Sequence, residues 1–366
     1  TANPTLLMQW TVEQARRVIL DLARPITGLS YTGNSQDYRA WQCLKNDLQL
    51  ESVQVMDLAA RVNAYFHIME TSPENYLLSS DAVDDWAQKC VKARSQQSGQ
   101  ITFFTSGTTD EARTVTHQQA FADREVNFLR EHFGNLSCII PLVPAASIYG
   151  YLYTIALPQA AGAPVCFPSE VQWNQLSENA LIVGTPFTWS HLMRSMPGLN
   201  IRSKGVCSTA PLPNPLYASL LSRGLSLTEV YGATETGGVG LRKAPNTAFE
   251  LFPYWTFQDA ATLIDSDTGH AFSLMDKIST VDDRHFTILH RKDQKLKIAG
   301  KLLDLEQLRN KILQLDNIKQ CRLSAKRQSD RLLLAAEVEL TQDSTEGRAE
   351  FRRALRAQLL PAERPA

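Results

Sequence analysis

Four hydroxyl residues and a glycine stand directly behind an apolar run in Phe103-Phe104-Thr105-Ser106-Gly107-Thr108-Thr109-Asp110. A turn of this composition exposes backbone N–H groups at Gly107 and adds hydroxyl donors that can converge on anionic oxygens, so phosphate suits it. An ordinary Ser/Thr-rich turn has the same composition, and this stretch alone leaves both readings open. A second cluster is Val230-Tyr231-Gly232-Ala233-Thr234-Glu235-Thr236-Gly237-Gly238-Val239-Gly240. Tyr231 can stack on a base, Thr234 can bond a phosphate, and Glu235 can hold Mg²⁺ through oxygen. A glycine-rich turn with a solvated glutamate is the alternative. The third element is the pair Asp276 and Arg291. A carboxylate accepts from both hydroxyls of a ribose, and an arginine reaches the same hydroxyls or a phosphate. Read separately, they are a turn residue and a surface charge.

Residues this far apart act together only if a scaffold gathers them. Residues 12–22 and 58–68 space their apolar side chains for one helical face, and Trp41 and Trp86 read as packing residues. From residue 118 short apolar runs alternate with helical stretches. Helix is expected over 118–133, 147–160, 187–196 and 214–222, and strand over 138–143, 164–167, 181–183, 205–208 and 226–230. This alternation predicts an α/β architecture with a substantially parallel sheet. Ligands of such sheets sit beyond the carboxyl ends of the strands, where the turns at Thr105, Ser208 and Tyr231 are all expected on one rim. Residues 248–291 change to period-two runs, predicting antiparallel strands. Beyond them come strand 295–298, a turn at Gly300, helix 305–315, strands 317–325 and 331–340, and helix 346–360. The division expected is a large domain, 1–291, and a small one, 292–366.

Of 366 residues 43% are hydrophobic and 20% charged, which marks a core-forming globular chain. The net charge of −1 leaves no basic face for nucleic acid. No apolar run approaches the roughly 18 residues of a membrane span, and the first ten residues lack a leader pattern, so no membrane partner and a cytoplasmic location are expected. Six cysteines stand far apart without a CxxC pair and read as buried free thiols; the histidines show no HExxH spacing. A Walker-type phosphate loop and a GxSxG nucleophile elbow are both missing.

The order and spacing of these stretches resemble the ANL superfamily of adenylating enzymes: acyl- and aryl-CoA synthetases, peptide-synthetase adenylation domains and luciferases. Thr105-Ser106-Gly107-Thr108-Thr109-Asp110-Glu111-Ala112-Arg113 is similar to that family's phosphate loop, TSGTTGxPK. Tyr231-Gly232-Ala233-Thr234-Glu235 resembles its YGxTE motif, and Ser208-Thr209-Ala210-Pro211-Leu212 its GGAPL turn beside adenine. Residues 143–150, with Ser147, Tyr149 and Gly150, resemble PLFHxxG, which lines the acyl pocket. Asp276 matches the ribose-binding aspartate, Arg291 the arginine of GRxD, Asp293 the hinge, and Lys297-Ile298-Ala299-Gly300 is similar to IKxxG. The resemblance covers residues 101–340. It implies an α/β, ANL-type large domain with mixed, largely parallel sheets flanked by helices and a β-rich subdomain, then a small α+β domain.

The activity it implies is ATP-dependent activation of a carboxylic acid to an acyl-adenylate, with ATP/AMP and Mg²⁺ as cofactors. Glu235 carries Mg²⁺; with Thr234 and Arg113 it forms the catalytic set. Thr105 to Thr109 hold phosphates, Ser208, Thr209, Ala210, Pro211, Tyr231, Gly232 and Ala233 border adenine, and Asp276 and Arg291 hold ribose. Ser147, Tyr149, Gly150, Tyr153, Gly237 and Gly238 line the acid pocket. The departures matter as well. Asp110 and Glu111 bring acids beside the phosphates, Ser147 replaces a histidine, and Ser208 and Thr209 replace two glycines. No lysine follows Lys326, so the family's C-terminal catalytic lysine has no counterpart, and handling of coenzyme A is in doubt. In these features the chain resembles a shortened branch of the family that acts in phenazine-antibiotic biosynthesis. The acid would then be an aromatic phenazine carboxylate, passed to a reductase or acyl-accepting partner enzyme; a homodimer is compatible. The alternatives are a complete CoA or carrier-protein ligase whose tail lies outside this sequence, and a protein that only binds nucleotide or aromatic acid.

Overall fold

The computed structural model describes residues 9–27, 40–71, 76–96, 99–105, 113–291, 295–298, 301–328, 331–341, 344–359 and 364. Backbone contacts divide the chain into two compact units, one of residues 1–105 and 114–247, the other of 106–113 and 248–366. The boundary expected at 291/292 adjoins residues 292–294, which lie outside the described residues.

The first unit is built on five strands in the order β3 (Cys138–Pro141), β4 (Ala180–Gly184), β5 (Lys204–Cys207), β6 (Ser226–Ala233) and β7 (Gly237–Arg242). The first four run parallel and β7 returns antiparallel. Every residue of Ala180–Gly184 is buried, as expected of a strand covered on both faces. Trp189, Leu192, Tyr217 and Leu220 of helices α7 (Pro186–Ser195) and α8 (Asn214–Ser222) pack with Ile140 and Ile182 into one core. Full burial of each such side chain contributes roughly 1.5–3 kcal/mol. Helix α7 starts where Thr185 and Thr188 bond reciprocally as a capping box ahead of Pro186. The remaining helices of this unit are α1 (Val12–Thr27), α2 (Ser52–Phe66), α3 (Val83–Gln96) and α4 (Gln119–Phe133). The α5 turn (Ile148–Tyr151) follows, and runs through a π-helical turn, Leu152–Ala156, into α6 (Leu157–Ala161).

Four sequence expectations change here. The strand leading to Thr105, β1 (Gln100–Phe104), pairs antiparallel with β2 (Thr114–Gln118) in a separate two-stranded sheet, so Thr105 does not end a parallel strand. The strand expected over 164–167 is a single bridge, Val165 to Ile139, because Pro164 and Pro168 cannot donate to a ladder. Strand β6 runs on through Tyr231–Ala233, which had read as turn: their partners, Gly237–Gly240, supply the ladder that local composition does not reveal. Cys138, Cys166 and Cys43 are partly exposed, whereas Cys90, Cys207 and Cys321 are buried; all six are free.

In the second unit β8 (Phe249–Leu251) pairs with β13 (His285–Arg291), which pairs with β12 (Asp276–Thr280), all antiparallel. A meander of β9 (Trp255–Asp259), β10 (Thr262–Asp265) and β11 (Ala271–Ser273) forms a second sheet. Two hairpins follow, β14 (Lys295–Ile298) with β15 (Lys301–Asp304), and β16 (Ile318–Gln328) with β17 (Arg331–Leu340). Strand β15 escapes the sequence pattern because its two leucines run straight into α9 (Leu305–Leu313). Leu303, Leu308, Ile312, Cys321, Leu334 and Leu359 form a small core with α9, and α10 (Thr345–Gln358) is the last helix among the described residues. No helix among the described residues is long and apolar enough to cross a membrane.

Candidate functional site

Adjacent strands β5 and β6 each end in a polar turn at the same edge of the sheet. The turn after β5 contains Ser208, buried, with Thr209 and Ala210 half-buried and Pro211 exposed. Leu212 N–H donates to Glu229 Oε1 (3.0 Å), and Arg242 Nε donates to Glu229 Oε2 (2.7 Å). Glu229 is 3% exposed, so a carboxylate on β6, neutralised from β7, fastens this turn. Thr209 has φ of 79°. A β-branched residue there is strained by roughly 1–3 kcal/mol, so Thr209 keeps a backbone conformation that favours glycine.

The turn after β6 is a hairpin tip of three residues, Thr234, Glu235 and Thr236, between the paired Ala233 and Gly237. Such loops close through a residue at positive φ, and Gly237 has φ of 61°. A Cβ on Gly237 would stand 2.3 Å from Glu125 Oε2. Glu125, 1% exposed on α4, accepts Gly238 N–H at 2.9 and 3.1 Å. His117 Nε2 on β2 donates to the Thr234 carbonyl at 2.7 Å. Burial pushes the His117 pKa below the ordinary histidine value, against an opposing pull from that carbonyl and from the Glu235 charge. The tip is thus held from both sides while Glu235 itself is exposed; Tyr231 is half-buried, and Gly232 and Ala233 are exposed.

The third segment at this edge follows β3. Ala145 N–H donates to Asp21 Oδ2 (2.5 Å), and Asp21, buried on α1, also accepts from Arg24 Nε (3.0 Å). Ser147 caps the next helix by accepting Gly150 N–H at 3.0 Å. Gly150 lies against Pro144, whose carbonyl oxygen would stand 1.7 Å from an added Cβ, so no side chain fits. Tyr149 donates its hydroxyl to Gly184 O (3.0 Å) and Val206 O (3.2 Å), tying this segment to the carboxyl ends of β4 and β5. Tyr153 is 1% exposed, with its ring 4.9 Å from that of Tyr149, and its hydroxyl has no hydrogen-bond partner among the described residues. Burial raises the pKa values of both phenols well above the usual value.

Of the expected phosphate-loop residues, Ser106, Gly107, Thr108 and Thr109 lie outside the described residues, as do Asp110, Glu111 and Ala112. Thr105 is half-buried and Arg113 is exposed, at the two ends of that stretch. In the second unit, Asp276 and Arg291 are direct partners in the β12–β13 ladder, fifteen positions apart in sequence but adjacent across the strands. Gathered at one edge of the first unit are therefore residues 144–153, 208–213 and 231–238. Asp21, His117, Glu125 and Glu229, which hold these segments, are absent from any motif. The three carboxylates had a local signal, each set among apolar residues: Glu125 on the stripe of Ala122, Val126, Leu129 and Phe133, Asp21 between Leu20 and Leu22, and Glu229 beside Val230.

Among the described residues no group of three His, Cys, Asp or Glu could hold a metal ion. A single exposed carboxylate such as Glu235 still fits Mg²⁺ arriving with a nucleotide, since that ion takes one or two carboxylates and otherwise phosphate and water oxygens.

No family profile matches the chain. It is 33% identical over 270 residues to a curated protein named 4-coumarate–CoA ligase from Rhodobacter capsulatus, a match covering 69% of each. Its fold is similar to that of a double mutant of o-succinylbenzoate CoA synthetase from Bacillus subtilis bound with a product analogue, at TM-score 0.59, 12% identity, 72% of this chain and 63% of that one. It is also similar to that of ATP-bound MatB from Rhodopseudomonas palustris, at TM-score 0.51, 13% identity, 97% of this chain and 87% of that one. With the α/β architecture and a relative this close, the chain belongs to the ANL superfamily of adenylate-forming acid–CoA ligases.

Proposed function

We propose that this chain activates an aromatic carboxylic acid, a phenazine carboxylate in the narrowest form of the reading, by adenylation in the cytoplasm. The observation that carries the proposal is the hairpin tip with half-buried Thr234 and exposed Glu235, standing at the same sheet edge as the Ser208–Pro213 turn, on adjacent strands. A carboxylate oxygen attacks the α-phosphorus of ATP, the bond to the bridging oxygen breaks, and acyl-adenylate and pyrophosphate result. Positioning and charge neutralisation supply most of the catalysis in such transfers. Residues 105–109 and Arg113 would hold the phosphates, and Thr234 would bond one of them. Glu235 would hold Mg²⁺, which when bound neutralises phosphate charge. Tyr231 and residues 208–211 would border adenine, and Asp276 and Arg291 would hold ribose. Ser147, Tyr149, Gly150, Tyr153, Gly237 and Gly238 would shape the acid site. The large domain would comprise residues 1–291 and the small one 292–366.

The product would pass to a reductase or acyl-accepting enzyme. A second reading, favoured by the name of the 33%-identical relative, passes it to coenzyme A. The test is carboxylate-dependent exchange of labelled pyrophosphate into ATP with aromatic and aliphatic acids, followed by consumption of the adenylate with and without coenzyme A. Exchange with an aromatic acid is expected, and Glu235→Gln should lower it at least a hundredfold with an unchanged circular dichroism spectrum. Wild-type exchange in that variant removes Glu235 from the site, and no exchange with any acid despite nucleotide binding points to a binding protein.

A further inference from the structure

We propose that His117 is a positioning residue that sets the Glu235 tip for phosphate chemistry from the strand into which the phosphate-loop segment runs. The proposal rests on the adenylation reading for its catalytic consequence, and on geometry for its anchor. Strand β2 begins one residue after Arg113, so His117 is four positions beyond the expected phosphate stretch in sequence. Its Nε2 meets the Thr234 carbonyl oxygen at 2.7 Å. A carbonyl only accepts, so Nε2 carries a proton. His117 is 7% exposed, and its ring stacks on Phe121 at 4.4 Å between centroids and 15° between planes, with Phe103 at 6.1 Å. Few rotamers satisfy that packing, so the donor is preorganised.

The acceptor matters more than the donor. The Thr234 carbonyl belongs to the planar peptide that joins Thr234 to Glu235, so fixing that oxygen fixes the plane from which the Glu235 side chain departs. Glu125 holds the other side of the tip through Gly238 N–H. Two anchors from outside the hairpin therefore leave the exposed Glu235 carboxylate a short lever on a fixed base. A tip that wandered by an ångström would cost a metal–phosphate site much of its preorganisation.

Two substitutions separate this role from simple packing. His117→Phe keeps a ring for the Phe121 stack but removes the donor; His117→Gln returns an N–H near the position of Nε2. In pyrophosphate exchange with MgATP, His117→Phe should lower kcat at least tenfold without shifting the urea midpoint by more than a few tenths molar. His117→Gln should recover at least a third of the wild-type kcat. Wild-type kcat in His117→Phe, or equal loss in both variants, overturns the proposal. A second readout needs no catalysis: hydrogen exchange of the peptide spanning residues 230–240 should speed up at least tenfold in His117→Phe and stay near wild type in His117→Gln. Equal rates in all three proteins overturn the anchor. If the tip loosens as expected while wild-type protein exchanges no pyrophosphate with any acid, the anchor stands and the adenylation reading falls. Nitrogen-15 spectra of the wild-type imidazole should show the Nε2–H tautomer, and an Nδ1–H tautomer would refute the assigned hydrogen bond.

Discussion

The turns after β5 and β6 are neighbours on one sheet edge, and each is held through a backbone N–H on a buried carboxylate, yet the remaining partners differ. Glu229, which holds the first through Leu212 N–H, has a guanidinium at 2.7 Å, with side-chain exposures of 4% for the acid and 15% for Arg242. The second hangs from a backbone carbonyl bonded to the imidazole of His117, and from a backbone N–H bonded to the Glu125 carboxylate. The first turn is strained at Thr209 and clamped by a buried pair; the second takes its positive φ at Gly237, where no such strain arises. The strained turn thus carries an ion pair, whereas the unstrained tip is held by two separate bonds, one from an imidazole and one to a carboxylate.

This contrast can be broken most decisively at Arg242. Replacing it with methionine leaves Glu229 buried and charged, and breaking a buried pair in this way costs about 3–5 kcal/mol. Urea unfolding followed by tryptophan fluorescence should show that loss; a cost under about 1 kcal/mol would mean that the pair does not clamp the turn. Glu125→Gln should do less, about 1–2 kcal/mol, because an amide oxygen still accepts Gly238 N–H and only charge assistance disappears. A cost equal to that of Arg242→Met would erase the distinction between the turns. The smallest effect is expected at Thr209. Relief of roughly 1–3 kcal/mol of strain outweighs the roughly 0.5–1 kcal/mol entropic cost of glycine, so Thr209→Gly should stabilise by about 1 kcal/mol. Destabilisation, read in the same unfolding assay, would show that the Thr209 side chain makes contacts worth more than the strain.

Much of the scaffold was legible in the sequence, because its signals are local. Helix α8 falls on residues 214–222 as expected from its apolar spacing, and the buried runs at β4 and β5 announced a parallel sheet. Local signals failed where a distant partner decided the outcome. Tyr231–Ala233 looked like turn and became strand because Gly237–Gly240 pairs with it, while Thr105 looked like a sheet rim and follows a hairpin strand. The anchors show the same limit more sharply. His117 is 117 positions from Thr234, Glu125 is 113 from Gly238, and Asp21 is 124 from Ala145. Composition within a window holds no information about such pairs. The motif residues stood out by type and spacing within short stretches; the residues holding them are set by contacts far along the chain.

The π-helical turn at Leu152–Ala156 turns chain length itself into a specification. Leu157 N–H bonds back to Leu152 O, five positions earlier, so this helix carries one residue more than a uniform α-helix of the same rise would hold. Each residue advances a helix by roughly 100°. The angular phase between Leu157–Ala161 and the stretch carrying Tyr149 and Gly150 is therefore set by that single surplus residue. Losing it would swing Gly150 away from Pro144, and Tyr149 away from the carbonyls of Gly184 and Val206. Along this stretch a change of side chain is a local event, whereas a change of count by one re-aims a whole wall of the candidate site.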